Sequence, residues 1–200
     1  MTTYLRSQLS TFTSSDFSPR PAISNAASIF FGWAIPAFIG VMVTRWLGGY
    51  RSVEYLDAAI SEGIGPHLWN VVGAIGAVLF GLFLILPTQR WLAKAANNVL
   101  VNTYAMGALT FGLLFGQWFY AFHTANLERW QAWANALGFG FLFLDVFFLN
   151  FSVCYLGYLS APERLNTGFA SKLASVDLRL RLFAGAALGV MTVYFLMMEK

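Results

Sequence analysis

Charged residues are scarce in this chain. Asp, Glu, Lys and Arg together make up 10% of the 200 residues, whereas a water-soluble domain carries about 25% of such residues. Hydrophobic residues account for 58% of the sequence. Because so few side chains are suited to water, the composition argues against a soluble globular domain and predicts that much of the surface contacts lipid.

Cysteine and the common catalytic motifs are also nearly absent. Cys154 is the only cysteine, which excludes an internal disulfide and any multi-cysteine metal site. There is no HExxH motif, no histidine pair suited to a di-iron site, no GxSxG motif and no Gly-rich phosphate loop followed by Lys. These absences favour a non-catalytic protein without excluding an enzyme. The net charge of +3 does not indicate a nucleic-acid partner, because basic loops are ordinary in membrane proteins.

Long apolar runs are what the sequence does contain. A helix needs about 20 apolar residues to cross a bilayer, and five runs come within a few residues of that length. They predict an all-α, polytopic membrane protein: a bundle of about five transmembrane helices with short connections and one or two interfacial helices. Residues 1–25 are predicted to be a polar N-terminal tail and residues 26–200 a single transmembrane domain. The predicted spans are 26–44, 68–87, 98–122, 134–159 and 182–198.

The positions of Lys and Arg predict the orientation of these spans. With five spans, the tail, the second connection and the fourth connection share one side of the membrane. That side collects eight of the 12 basic residues: Arg6, Arg20, Arg90, Lys94, Arg164, Lys172, Arg179 and Arg181. The positive-inside rule therefore places the N-terminus inside and the C-terminus outside. A bacterial inner membrane, a mitochondrial inner membrane and a thylakoid all fit this bias. An organellar targeting segment is an alternative interpretation of residues 1–25.

Small residues recur at four-residue steps in four of the five spans. Such stripes let helix backbones approach closely, which promotes helix association in lipid through dispersion contacts. The glycines predicted to support this packing are Gly32, Gly40, Gly73, Gly81, Gly112, Gly116, Gly185 and Gly189. The fourth span differs, because it is crowded with phenylalanines that can face lipid, a partner subunit or a flat hydrophobic cofactor.

Asp145 is the most informative polar residue, because it lies near the middle of the fourth span. An ionised acid at that depth costs about 2.5–3.5 kcal/mol on insertion scales, so it needs a partner or an inward orientation. Gly138, Asp145 and Ser152 share one helical face at seven-residue steps. Asp145 is either a proton or cation site or a hydrogen-bonded clasp between helices. Its candidate partners lie on the third span and are Gln117, Asn102 and Tyr104.

His67 and His123 are the only histidines, and the predicted topology places both at the outer membrane face. Two histidines at one face can ligate a haem or a pigment, or contact a quinone headgroup. Ordinary polar residues at the ends of spans are the alternative interpretation. The sequence requires no cofactor.

Three functions remain open at this point. The first is a non-catalytic subunit or assembly factor of a larger membrane complex. An energy-converting complex is one form of this hypothesis. The second is a small transporter or channel whose path runs beside Asp145, with Gln117 and Ser152 as further polar contacts. The third and weakest is a haem- or pigment-binding protein that uses His67 and His123. The expected partners are the lipid bilayer and either other membrane subunits or further copies of this chain.

Overall fold

The computed structural model describes residues 2–63, 66–166 and 168–198, and no strand occurs among them. The all-α prediction is therefore confirmed for this part of the chain. The helices, in chain order, are α1 (Thr2–Leu9), α2 (Arg20–Leu47), α3 (Tyr50–Ala58), α4 (Pro66–Ile85), α5 (Arg90–Thr124), α6 (Arg129–Leu159), α7 (Phe169–Ser175) and α8 (Leu178–Met198). Short 3-10 turns lie at Ser14–Phe17 and Pro162–Arg164, and a π-helical turn lies at Ala59–Gly63.

Among the described residues, four stretches are long and apolar enough to cross a membrane, as judged by length and composition. They are Ser14–Leu47, Leu68–Ile85, Arg90–Thr124 and Arg129–Leu159. These stretches overlap α2, α4, α5 and α6, and they overlap the first four predicted spans. The fifth predicted span, 182–198, lies within α8, and its crossing of a membrane stays a prediction.

Most of these helices extend beyond the apolar runs that predicted them. Helix α2 begins at Arg20 rather than at residue 26, and α5 begins at Arg90 rather than at residue 98. Polar residues continue a helix readily, because each added residue gains a backbone hydrogen bond once the helix is nucleated. Helix α4 instead ends at Ile85, two residues before Pro87, since the residue before a proline is disfavoured in the helical conformation.

One compact unit comprises residues 1–24, 70–103 and 153–200. Its core is an apolar cluster drawn from α4, α5, α7 and the end of α6: Phe80, Phe83, Leu92, Ala93, Leu100, Leu159, Phe169, Ala170 and Leu173. Helices α4 and α8 meet at glycines, because a Cβ atom on Gly185 would lie 2.6 Å from the carbonyl oxygen of Gly81. A Cβ atom on Gly81 would lie 3.0 Å from the carbonyl oxygen of Gly185, so the two backbones would have to move apart to admit a side chain at either position.

The segment predicted to be a polar tail makes specific contacts within this unit. Phe17 packs edge-on against Phe169 of α7, with ring centroids 5.6 Å apart. The Tyr155 hydroxyl donates a hydrogen bond to the backbone carbonyl of Phe17 at 2.6 Å. Lys172 forms an ion pair with the buried Asp16 at 2.5 Å. The short turn before α2 is thereby held on α7.

The second compact unit comprises residues 25–69 and 104–152. Helices α2 and α5 approach closely in it, because a Cβ atom on Gly116 would lie 2.8 Å from Val41 and one on Gly112 would overlap the backbone of Ala34. Val41 forms a small apolar core with Met42 and Ile60. This unit includes residues 129–152 of α6, among which Asp145 and Asn150 lie.

Candidate functional site: the two faces of helix α6

Asn150 is a buried polar residue of the second unit and is 2% exposed. The indole Nε1 of Trp69 on α4 donates a hydrogen bond to Asn150 Oδ1 at 3.3 Å. Asn150 Nδ2 in turn donates to the backbone carbonyl of Tyr104 on α5 at 3.2 Å. The Tyr104 hydroxyl donates to the carbonyl of Ala26 on α2 at 2.8 Å. These three bonds join four helices through neutral polar groups.

Glycine at position 107 makes room for this arrangement. A Cβ atom on Gly107 would overlap Asn150 Oδ1 and would lie 2.6 Å from Trp69 Nε1. Asn150 was not among the polar residues predicted from the sequence to form a site. The signals that could have found it are an amide within an apolar run and a small residue on the facing helix, since a buried amide needs both space and hydrogen-bond partners.

Asp145 lies on a different face of the same helix. Five positions separate it from Asn150, which places the two side chains about 140° apart around the axis. Asp145 is exposed, and no hydrogen bond or ion pair involves it in the described part of the chain. Its neighbours at three- and four-residue spacing are exposed and apolar: Phe141, Leu142, Phe148 and Leu149. Asp145 is therefore an isolated acid within an apolar surface.

The stripe formed by Gly138, Asp145 and Ser152 lies on this exposed face. Gly138 and Ser152 are exposed, as Asp145 is. The Ser152 hydroxyl donates to the carbonyl of Phe148 at 2.8 Å within its own helix. All three residues lie on one side of α6, and two of the candidate partners of Asp145 bond elsewhere: Tyr104 donates to the carbonyl of Ala26 and Gln117 donates to Asp57.

Gln117, one of those candidates, belongs to a separate polar cluster. Its Nε2 donates to Asp57 of α3 at 3.0 Å. Arg45, near the end of α2, donates to the same Asp57 oxygen at 2.5 Å. The Arg45 guanidinium also lies 5.5 Å from the centroid of the Tyr120 ring. The cluster attaches the short helix α3 to α2 and α5.

Beside the exposed face of α6, an apolar cavity of about 380 Å³ opens between α2, α5 and α6. Phe30, Ala34 and Phe111 are buried at its floor, whereas Phe31 and Ile35 are about half exposed at its rim. The full lining is Phe30, Phe31, Ala34, Ile35, Phe38, Phe111, Gly112, Phe115, Phe143 and Phe147. The aromatic crowding of the fourth predicted span thus contributes both to this cavity and to the outer surface.

The two histidines differ in what the structure describes of them. His123 is exposed near the end of α5, and its ring is nearly parallel to that of Phe119, with centroids 6.4 Å apart. The side chain of His67 lies outside the described part of the structure. Haem or pigment ligation by this pair therefore stays a prediction, which a visible absorption band of the purified protein would test. Within the described residues, no group of three His, Cys, Asp or Glu is placed to hold a metal ion.

The predicted packing glycines fall into two groups. Gly73, Gly81, Gly112, Gly116 and Gly185 each approach a neighbouring helix so closely that an added Cβ atom would contact it within 3.4 Å. Gly32, Gly40 and Gly189 have open space around the position of a Cβ atom. Gly107, which the stripe prediction omitted, belongs to the first group.

A polar contact outside the candidate spans ties α1 to the start of α8. The Tyr4 hydroxyl donates to the Asp177 carboxylate, and the backbone N–H of Asp177 donates to Gln8 Oε1 at 3.0 Å. The hydrogen bond from Tyr4 lowers the pKa of Asp177, and the N–H of Arg179 lowers it further. The same contact raises the pKa of Tyr4. Asp177 also caps α8, because its Oδ1 accepts the N–H of Arg179 at 2.9 Å.

Comparisons of this chain with models of protein families, with curated proteins and with solved structures found no match.

Proposed function

We propose that this chain is a multi-pass integral membrane protein that serves as a non-catalytic subunit or assembly factor of a larger membrane complex. In the part of the chain that the structure describes, four helices have the length and apolarity of membrane spans. Helix α8, with 21 residues, is long enough to be a fifth. With five spans the N-terminus lies inside and the C-terminus outside, which leaves the more basic connections on the inner side.

The observation that carries the subunit proposal is the uncovered surface of α6. Only 11% of the residues in its most apolar stretch are buried, compared with 50% in α5. Helix α6 is 31 residues long and lies between two helices of the same chain in sequence. A helix that lies between others in the sequence, and that its own chain leaves so exposed, is suited to contact with another protein.

The chemistry of this surface supports a protein partner over lipid alone. Lipid chains are as apolar as leucine, so contact with lipid requires no polar group on a helix. The surface of α6 nevertheless combines bulky rings, such as Phe141 and Phe148, with the acid Asp145. Helix association in membranes depends on close packing and on interhelical polar contacts, and this face offers both.

The direct test is to extract the tagged protein from its native membrane in mild detergent and to identify by mass spectrometry what accompanies it at a stoichiometric ratio. We expect a constant set of other membrane subunits. Phe141→Ala should reduce their recovery, because Phe141 is 70% exposed on α6 and its loss leaves no internal cavity.

Phe183→Ala is the matched control for that experiment. Phe183 is 74% exposed, but it lies on α8. If α6 is the contact surface, the Phe183→Ala protein should retain the wild-type set of subunits. A protein that purifies alone, or only with further copies of itself, would exclude the subunit proposal.

A transporter or channel is the second candidate, and the exposure of Asp145 favours it. A group that exchanges protons or cations must be reachable from the pathway, and Asp145 is exposed. Because Gln117 donates to Asp57 instead, such a path would need another chain to form its opposite wall. Transport by the reconstituted protein that is abolished in Asp145→Asn would support this candidate, and unchanged transport would exclude it.

A further inference from the structure

We infer that the partner of α6 is a transmembrane helix of a different protein, and that it places a basic side chain opposite Asp145. This inference rests on the proposed function, since it assumes that α6 crosses a membrane against another subunit. It adds the chemistry of the partner and the single residue of this chain that recognises it.

The depth of Asp145 is the first step. Asp145 lies 16 residues after Arg129, the first residue of α6, and 14 residues before Leu159, its last. At a rise of about 1.5 Å per residue, the acid is about 21–24 Å from either end of the helix. The hydrocarbon core of a bilayer is about 30 Å thick, so a spanning α6 carries Asp145 near its middle.

The second step is that no described residue compensates the charge of Asp145. Asp145 is exposed and makes no hydrogen bond there, while Leu144 and Val146 beside it are exposed and apolar. A charged side chain in this position is costly, and such residues pair with one another or face a polar cavity. Protonation would remove the charge but would leave a hydroxyl group without an acceptor.

The third step is that the candidate spans of this chain offer no suitable cation at this depth. Their Arg, Lys and His residues all lie within about four positions of a helix end: Arg20, Arg45, His67, Arg90, Lys94, His123 and Arg129. A second copy packed symmetrically on α6 would bring another acid to Asp145, and like charges repel. Charge complementarity therefore favours a heterologous helix that carries Arg, Lys or His at mid-depth.

The surroundings of Asp145 fit the centre of such a contact. Phe141, Leu142, Phe148 and Leu149 lie one turn before and one turn after it on the same face, and all four are exposed. A polar pair enclosed by apolar contacts is shielded from competing water or lipid headgroups, as in the central residues of protein interfaces.

The test uses the native complex purified through the tagged full chain, with wild type, Asp145→Asn, Asp145→Leu and Asp145→Glu compared. We expect the first two variants to lower the recovery of the partner at least tenfold, and Asp145→Glu to retain most of it, because only Glu preserves the charge. Each variant chain is also melted alone in detergent. An unchanged melting temperature shows that the loss of the partner does not reflect unfolding.

A cross-link identifies the residue opposite Asp145. A photo-activatable phenylalanine analogue at Leu149, one turn away, should capture the partner helix within one turn of a Lys, Arg or His. Replacement of the basic residue of the partner helix by Asp, combined with Asp145→Lys in this chain, should restore assembly. Retention of the partner in Asp145→Asn, or a cross-linked helix without a basic residue, would overturn this inference while leaving the subunit proposal intact. Failure of the wild-type chain to bring down any partner would overturn both.

Discussion

Asn150 and Asp145 lie five residues apart on helix α6 and illustrate two different fates of a polar side chain in an apolar helix. Asn150 is buried and hydrogen-bonded to Trp69 and to the backbone of Tyr104. Asp145 is exposed and has no polar partner among the described residues. The inner face therefore carries a neutral amide that is hydrogen-bonded within its own chain. The outer face carries an acid that has no polar partner among the described residues.

From this difference we infer that Asn150 contributes to the stability of the chain and Asp145 to the recognition of a partner. A satisfied buried amide stabilises the arrangement of its neighbours, and its removal leaves a donor without an acceptor. An unsatisfied acid on the outside contributes little to the fold of its own chain, but in a helix that spans a bilayer it is costly unless it meets a cation or a polar cavity. We therefore expect substitutions on the inner face to alter the stability of the isolated chain, and substitutions at Asp145 to alter its assembly.

The largest effect on stability is expected from Gly107→Ala on the inner side. The added Cβ would overlap the Asn150 amide and would lie 2.6 Å from Trp69 Nε1, so the network would have to separate. We expect a loss of about 2–3 kcal/mol in the free energy of unfolding, measured by denaturant titration of the purified protein in detergent micelles. Gly140→Ala is the control on the exposed side, where no atom lies within 4 Å of the added Cβ. Equal effects of the two changes would contradict the distinction between the faces.

Replacement of Asn150 by alanine, compared with the same change at Asp145, gives the second largest effect. Asn150→Ala removes the acceptor of Trp69 Nε1, and we expect the free energy of unfolding to fall by about 1–2 kcal/mol. Asp145→Ala should change the same quantity by less than about 0.5 kcal/mol, because the side chain it removes is exposed and unpaired. The comparison is made by thermal and denaturant unfolding in one detergent. A larger loss for Asp145→Ala than for Asn150→Ala would reverse the assignment of roles.

The positions of the candidate spans could be predicted from the sequence, but the orientation of their polar residues could not. Length and apolarity determine which stretches can be spans, and both are local properties that identified α2, α4, α5 and α6. The spacing of Gly138, Asp145 and Ser152 likewise identified residues that share a face. Which way that face points depends on contacts between distant segments.

The contacts of Asn150 show why the orientation of α6 could not be predicted. Asn150 faces inward because Trp69 supplies a donor and Gly107 supplies space, and these residues are 81 and 43 positions away in sequence. Gln117 similarly meets Asp57, 60 residues away on a short amphipathic helix, rather than Asp145. Periodicity within one segment contains no information about such pairings.

A smaller effect is expected where the polar partners are charged and partly exposed. Asp57 accepts from both Arg45 and Gln117, but its side chain is 44% exposed, which weakens the ion pair through solvent screening. Asp57→Asn should cost about 0.5–1 kcal/mol at low salt, and the difference from wild type should shrink in 1 M salt, where the Debye length is about 3 Å. The effect of Asn150→Ala should not depend on salt, because that network is neutral. A salt-independent effect at Asp57 would show that the ion pair is not its source.

The smallest effect concerns the contact between Tyr4 and Asp177, which unlike those on α6 depends on pH. The pKa of Asp177 is lowered by the hydrogen bond from Tyr4, so the stabilisation from the acid is present above its unfolded value of about 3.9 and is lost as the pH falls further. The pKa of Tyr4 is raised, so the stabilisation from the phenol is present below about 10 and is lost as the pH rises beyond that. Hydrogen exchange of the α1 amides in wild type and Tyr4→Phe should therefore differ near neutral pH and converge below about pH 4. Protection that is equal in both proteins at neutral pH would show that this hydrogen bond does not hold α1 in place.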